Sequence, residues 1–162
     1  MTGYIYADNA STTRLAPEVL DAMKPWLTES HGNASSLYRA GREARREIER
    51  CRKAVAELIG CEASEIYFTS GGTESDNWAL KGTVKRLSRA GKTHLITDET
   101  EHHAVLNSAR TLEKEGFPVS IAPVDSLGRV DPQAVISLIR SDTAIVSIMS
   151  ANNEIGTIQP IK

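Results

Sequence analysis

The chain has 162 residues, enough for one ordinary domain, and its 40% apolar and 25% charged residues are typical of a globular protein. Its formal net charge of −2 argues against nucleic-acid binding as the main role, and two cysteines are too few for a disulfide framework. The sequence lacks an apolar run long enough to span a bilayer and a secretion signal at its start. We therefore expect a cytoplasmic protein with no nucleic-acid or membrane partner.

In chain order, the first third is predicted to be mainly helical. A short strand is predicted at residues 4–6, and Pro17 suits the first turn of a helix whose apolar residues recur at helical spacing. Turn-forming residues then predict a loop at 31–36. The clearest helix follows and ends at Gly60, and its apolar stripe is formed by Ala44, Ile48, Cys51, Val55 and Leu58.

From residue 65 onward, strands and helices alternate. Helices are predicted at 74–89 and 104–115, and a third runs to Leu138 with Asp131 as its N-cap and Pro132 in its first turn. Strand patterns precede and separate these helices at 65–69, 93–97, 119–123 and 144–149. This alternation implies right-handed βαβ units, so the predicted fold class is α/β with a mostly parallel sheet and flanking helices.

The segment from Ser70 to Ser75 is the most informative stretch of the sequence. It places a glycine pair and a hydroxyl between a predicted strand and a helix start, which is an arrangement that holds a phosphate. Glycine lets the backbone approach an anion closely, and the first helical N–H groups have no partner within the helix. The glycine pair and the Thr73 hydroxyl are therefore candidates for binding a phosphate, although an ordinary loop-to-helix turn has the same pattern.

Two further predicted strands also end in polar segments. Residues 98–103 include His102 and His103, and residues 150–156 include Asn153. Because ligands in open α/β sheets bind beyond the carboxyl ends of the strands, the three loops predict one site with an anion pocket, a histidine and an amide. Each residue also has an ordinary interpretation: a solvent-exposed histidine, a turn asparagine, and caps in the case of Glu101 and Glu154.

The other chemically notable residues point to structural roles. Cys51 lies on the apolar stripe and is predicted to be buried, and Cys61 lies in a turn-like stretch. The arginine-rich segment 39–46 is interpreted as a solvated helix face. A metal site is unsupported, because the adjacent histidines lack a matching cluster of cysteine or histidine.

Taken together, these segments resemble the N-terminal part of the NifS/IscS-type cysteine desulfurases. This family belongs to the class V aminotransferase group of fold-type I enzymes, which use pyridoxal 5′-phosphate (PLP). The resemblance runs along essentially the whole chain in the order of the family. Its matching segments are 6–13, 32–36 with Gly41 and Ala44 downstream, 68–77, 100–102, 146–149 and 152–156.

The resemblance implies a role for each candidate residue. Gly72 and Thr73 would hold the PLP phosphate, and His102 would stack on the pyridine ring and take part in proton transfer. Asn153 would hydrogen-bond the cofactor near its phenolic oxygen or the substrate carboxylate. The implied reaction takes sulfur from L-cysteine as an enzyme persulfide and leaves alanine. It would serve iron–sulfur cluster or thio-cofactor assembly, with a homodimer and an iron–sulfur scaffold protein as partners.

The sequence departs from the family pattern in two places. Leu37 and Tyr38 follow the Ser-Ser pair where the family often has histidine. In addition, the family's Schiff-base lysine, persulfide cysteine and small domain come from segments beyond the one that Lys162 matches. We therefore expect residues 1–162 to be the N-terminal part of the PLP-binding domain, inactive without a complementary C-terminal part. The alternatives are a selenocysteine lyase or another class V relative, and a non-catalytic interaction half-domain.

Overall fold

A computed structural model describes residues 3–161, and Met1, Thr2 and Lys162 lie outside the described residues. The chain divides into two compact units, a first that ends at Phe68 and a second that begins at Thr69. Among the described residues, no helix is both long and apolar enough to cross a membrane.

The first unit contains two α-helices, as predicted. Helix α1 spans Pro17–Thr28 and continues past Pro25. Helix α2 spans Arg39–Ile59 and ends where Gly60 adopts a left-handed conformation with φ of 75°. A short 3₁₀ turn, Ala63–Glu65, follows it.

Two of the predicted strands, at residues 4–6 and 65–69, were wrong. Residues 4–6 and 66–69 belong to no strand, and residue 65 ends the 3₁₀ turn. Ile66 is nevertheless extended, with φ of −92° and ψ of 126°. A strand is completed by hydrogen bonds from a neighbouring strand, and within residues 3–161 none pairs with either segment. The backbone is thus extended at Ile66, but neither segment is part of a sheet among the described residues.

The burial predicted for the apolar stripe of α2 was also wrong. Cys51 is exposed, and Leu58 retains 85% of its accessible surface, whereas the neighbouring Ala56 is buried. An amphipathic pattern reports only that a helix has a face to bury. It does not say that the covering surface lies in the same stretch of chain.

The second unit is built on a three-stranded parallel sheet of order β2-β1-β3, which confirms the predicted fold class. The strands are β1 at His94–Asp98, β2 at Val119–Ala122 and β3 at Thr143–Val146. All five residues of β1 are buried, as expected for a central strand with neighbours on both sides. Strand β3 ends at Val146, three residues before the predicted end.

Three helices flank this sheet: α3 at Gly72–Leu87, α4 at His103–Lys114 and α5 at Pro132–Leu138. Helices α3 and α4 pack against each other and against β1. The side chain of Asp131 accepts the Gln133 N–H and caps α5 as predicted, but Trp78 on α3 is half exposed rather than buried. The core consists of Leu80, Val84, Leu95, Val105, Ala109 and Leu112.

Candidate active site

The loops that follow β1 and β3 meet at the carboxyl edge of the sheet. Asn152 Nδ2 donates a hydrogen bond of 2.8 Å to the carbonyl oxygen of Thr100, which joins the second loop to the first. Ser147 Oγ donates to Glu101 Oε1 at 3.4 Å, a longer and weaker contact between the same two segments. Parallel neighbours end at the same edge, so the sheet brings the predicted histidine loop and asparagine loop together.

His102 is the N-cap of α4. Its Nδ1 accepts the backbone N–H of Ala104 at 3.1 Å, while its side chain is largely exposed to solvent. This bond requires Nδ1 to carry no proton, so the ring proton lies on Nε2. The helix start thus selects the tautomer and presents Nε2 as the nitrogen that can exchange a proton with a ligand.

The two asparagines of the second loop have different environments. Asn153, the predicted ligand residue, is exposed. Asn152, which sequence reasoning passed over, is half-buried, and its Oδ1 accepts the N–H groups of Glu154 and Ile155 at 2.8 and 2.9 Å. An asparagine followed by a turn ending in Gly156 is the available sequence signal for this local cap.

Glu101, interpreted from the sequence as a cap, is buried, with 7% of its surface accessible. Burial and the neighbouring charge of Asp98 raise the pKa of Glu101 to about 7, against hydrogen bonds from Ser147, His102 and Met149 that favour the carboxylate. A carboxyl group that titrates near neutral pH next to a histidine is typical of a functional site. A local sequence pattern could not predict this shift, because the groups around the Glu101 carboxyl group include Ser147 and Met149, which follow β3.

Asp98 ends β1 and is fully buried. Its Oδ1 accepts the N–H and the hydroxyl of Thr100 at 2.7 and 2.6 Å. Among the described residues, Asp98 Oδ2 and Thr97 Oγ1 are buried without a hydrogen-bond partner. Each such atom costs about 1–3 kcal/mol of stability, because it has lost its hydrogen bonds to water. Buried atoms of this kind are rare in native proteins and are often found at functional sites.

Hydrogen bonds between its own residues order the predicted phosphate loop. Ser70 donates its N–H and its hydroxyl to Glu74 Oε2 at 2.6 and 2.7 Å, and these bonds lower the pKa of Glu74. The first helical bond runs from Ser75 N–H to the Gly71 carbonyl at 3.1 Å, so the N–H groups of Gly72 and Thr73 precede the helical ladder. A Cβ atom added at Gly71 or Gly72 would meet nothing within 4 Å. The residues present therefore fit an anion.

This loop lies in the same unit as the other two, but within residues 3–161 no hydrogen bond joins it to either of them. The structure thus brings two of the three predicted loops into direct contact. The position of the third is set through α3, which packs on β1 and β3.

The comparison with protein families shows the family of the chain. The Aminotransferase class-V description matches residues 5–162. The chain belongs to the aminotransferase class-V family. Membership implies PLP as the cofactor, which agrees with a helix start that fits an anion and a histidine at the carboxyl edge of a parallel sheet.

Individual relatives show which members of the family the chain is similar to. The chain is 52% identical to the cysteine desulfurase IscS of Methanosarcina thermophila over 98% of its length, covering 39% of that protein. It is 50% identical to the Homo sapiens cysteine desulfurase over 97% of its length, covering 34% of that protein. Among solved structures, a NifS-like protein matches with a TM-score of 0.90 and 44% identity over 94% of this chain and 42% of its own. "SspA in complex with cysteine" matches with a TM-score of 0.88 and 39% identity over 96% and 45%. The chain thus spans less than half of each of these proteins.

Proposed function

We propose that the chain forms the phosphate-binding and histidine side of a cysteine desulfurase active site. The proposed enzyme takes sulfur from L-cysteine onto a protein cysteine and releases alanine. The observation that carries this proposal is the contact between the His102 loop and the Asn152–Asn153 loop at the carboxyl edge of β1 and β3. The identity of about half of all residues to proteins named cysteine desulfurase supports the substrate.

Each site residue has a task that its position supports. The N–H groups of Gly72 and Thr73, with the Thr73 hydroxyl, bind the phosphate at the start of α3. Bound PLP supplies an electron sink for breaking bonds next to the amino group of the substrate. His102 holds or moves a proton through Nε2, because Nδ1 is occupied by the Ala104 N–H. The Asn153 amide donates to the phenolic oxygen of the cofactor or to the substrate carboxylate.

The remaining parts of the enzyme belong to the same proposal. Sequence outside these 162 residues supplies the lysine that anchors PLP, the cysteine that accepts sulfur and the small domain. It does so within one longer chain or from a complementary fragment, and the complete enzyme is proposed to be a homodimer. An iron–sulfur scaffold protein in the cytoplasm is the proposed sulfur acceptor.

The test uses the complete gene product with two substitutions of the same histidine. His102→Asn keeps an oxygen that can cap α4, whereas His102→Ala removes both the cap and the imidazole. We expect both variants to form alanine from L-cysteine about 10²–10⁴ times more slowly. The Ala variant should in addition lose about 1 kcal/mol of unfolding free energy, and the Asn variant much less.

Alanine formation, PLP content and urea unfolding are measured side by side. Activity retained by His102→Asn would contradict the assigned proton-transfer role, and failure of the wild-type protein to bind PLP would contradict the site itself. Parallel turnover of cysteine and selenocysteine separates a desulfurase from a selenocysteine lyase.

A further inference from the structure

Thr100 is held from both sides at the carboxyl edge of the sheet. Its N–H and hydroxyl donate to Asp98 Oδ1, and its carbonyl oxygen accepts from Asn152 Nδ2. Thr100 stands two residues before His102, the N-cap of α4. The Thr100 carbonyl therefore lies one peptide unit before Glu101 and two residues before the N-cap of α4, where its position can affect that of the histidine.

Asn152 is equally constrained on its own side. Its backbone N–H donates to the Thr157 carbonyl at 2.9 Å, and its carbonyl accepts the Gly156 N–H at 3.0 Å. Together with the two bonds to its Oδ1, these contacts close the segment 152–157 into a compact turn. The side-chain nitrogen is the part of Asn152 that leaves this turn and reaches the other loop.

The turn is fixed to the body of the unit at its far end. Thr157 Oγ1 donates to the Leu127 carbonyl at 2.6 Å. Gln159, which is 4% exposed, accepts the Val130 N–H and donates to the Gly128 carbonyl at 2.9 and 2.7 Å. The loop after β3 is thus anchored in the second unit. Asn152 ties it to the Thr100 carbonyl, beside the contacts that Ser147 and Met149 make with Glu101.

We propose that Asn152 is a positioning residue that sets the orientation of His102 relative to Asn153 through its hydrogen bond to the Thr100 carbonyl. Its role in the reaction rests on the function proposed above. The tie between the loops, which is the hydrogen bond from Asn152 to Thr100, does not depend on that function. Asn152 touches neither ring nitrogen of His102, so it acts through Thr100 and is not a catalytic residue.

The test replaces the side-chain N–H donor of Asn152 and keeps its acceptor oxygen. Asn152→Asp retains an oxygen for the Glu154 and Ile155 N–H groups but turns a second carboxylate oxygen toward the Thr100 carbonyl. We expect hydrogen exchange of the Thr100 amide in the complete gene product to accelerate about tenfold, with the Glu154 and Ile155 amides unchanged. Asn152→Ala, which lacks both groups, should accelerate all three amides.

The matched control is Asn107→Asp, the same change on the exposed face of α4, where a carboxylate still accepts from Arg110. It should leave all three amides unchanged. The ring-nitrogen NMR signals of His102 should move in the Asn152→Asp protein and stay fixed in this control. For L-cysteine, the kcat of the Asn152→Asp protein should fall about tenfold.

Unchanged Thr100 exchange and unchanged His102 signals would overturn the inference. An equal acceleration of every amide in the second unit would also overturn it, because this would indicate a general loss of stability. If the exchange pattern is as expected but the wild-type protein neither binds PLP nor consumes cysteine, the tie between the loops stands and the proposed function fails.

Discussion

At the scale of single residues, the protonation of Glu101 affects the stability of the fold as well as the chemistry of the site. Its carboxyl group is buried between the ends of β1 and β3, and its pKa of about 7 lies well above the usual value of 4.5. The folded protein therefore holds this proton more tightly than the unfolded chain. The stabilising contribution is fully present below about pH 4.5 and is lost as the pH rises through about 7.

Glu101→Gln should remove this pH dependence, because the amide keeps the shape of the protonated acid and carries no charge. Between about pH 4.5 and about pH 8, the unfolding free energy of wild type relative to the variant should fall by on the order of 2 kcal/mol. Urea unfolding across this range measures the difference. The exposed neighbour Glu99 provides the control substitution Glu99→Gln, and parallel profiles for wild type and Glu101→Gln would contradict the assignment.

The comparison of wild type with Glu101→Gln is necessary because His94 also makes stability depend on pH. The histidine is buried at the opposite end of β1, where Nδ1 lies 3.0 Å from Thr143 Oγ1 and Nε2 lies 2.8 Å from Ser120 Oγ, so one ring spans all three strands. Burial lowers the pKa of His94 below its usual 6.5. Its contribution is present above about pH 6.5 and is lost as the pH falls below that value, opposite in sign to Glu101.

At the scale of elements, the start of α2 is packed against the loop before it. Ser35 N–H bonds to Asn33 Oδ1 and Ser36 N–H to the Asn33 carbonyl, each at 2.9 Å. A Cβ atom at Gly41 would lie 2.5 Å from the Ser36 carbonyl oxygen and 2.6 Å from that of Asn33. Glycine is therefore required here by close backbone contact.

Gly41→Ala should displace the loop or the first turn of α2 and cost about 1–3 kcal/mol of unfolding free energy. Gly82→Ala is the matched control within a helix, because its Cβ would meet only the Trp78 side chain, at 3.2 Å. There the usual advantage of alanine in a helix should leave stability unchanged or slightly higher. Thermal unfolding of both variants provides the comparison, and equal effects would show that the contact at Gly41 is unimportant.

The elements that could be predicted are those with local signals. Pro17, Gly60 and the Asp131–Pro132 pair mark helix ends through backbone geometry that needs no distant partner. The pattern at 65–69 is equally clear but forms no strand among the described residues, because a strand depends on a neighbour. The roles of Asn152 and Glu101 escaped prediction for the same reason, since each depends on a loop about fifty residues away.

At the scale of the whole molecule, the two units differ in how much apolar surface they bury. The second unit has a continuous core around Leu95, Val84 and Leu112, each fully inaccessible to solvent. In the described part of the first unit, Ala56 is the one hydrophobic residue that is buried. Apart from Ile66, its larger described apolar side chains remain exposed by 37% or more, among them Leu20, Met23, Trp26, Leu27 and Leu58.

The 162-residue chain alone should therefore be unevenly stable. At about 25 cal/mol per Å² of buried apolar area, helices without a core gain little to offset their loss of conformational entropy. We expect amides of α1 and α2 to exchange hydrogen orders of magnitude faster than those of β1 and α4. Hydrogen-exchange mass spectrometry on this chain measures both, and the complete gene product should show protected α1 and α2 if further sequence covers them. Equal protection of the two units in the 162-residue chain would contradict the prediction, because it would require stabilisation that buried apolar surface does not supply.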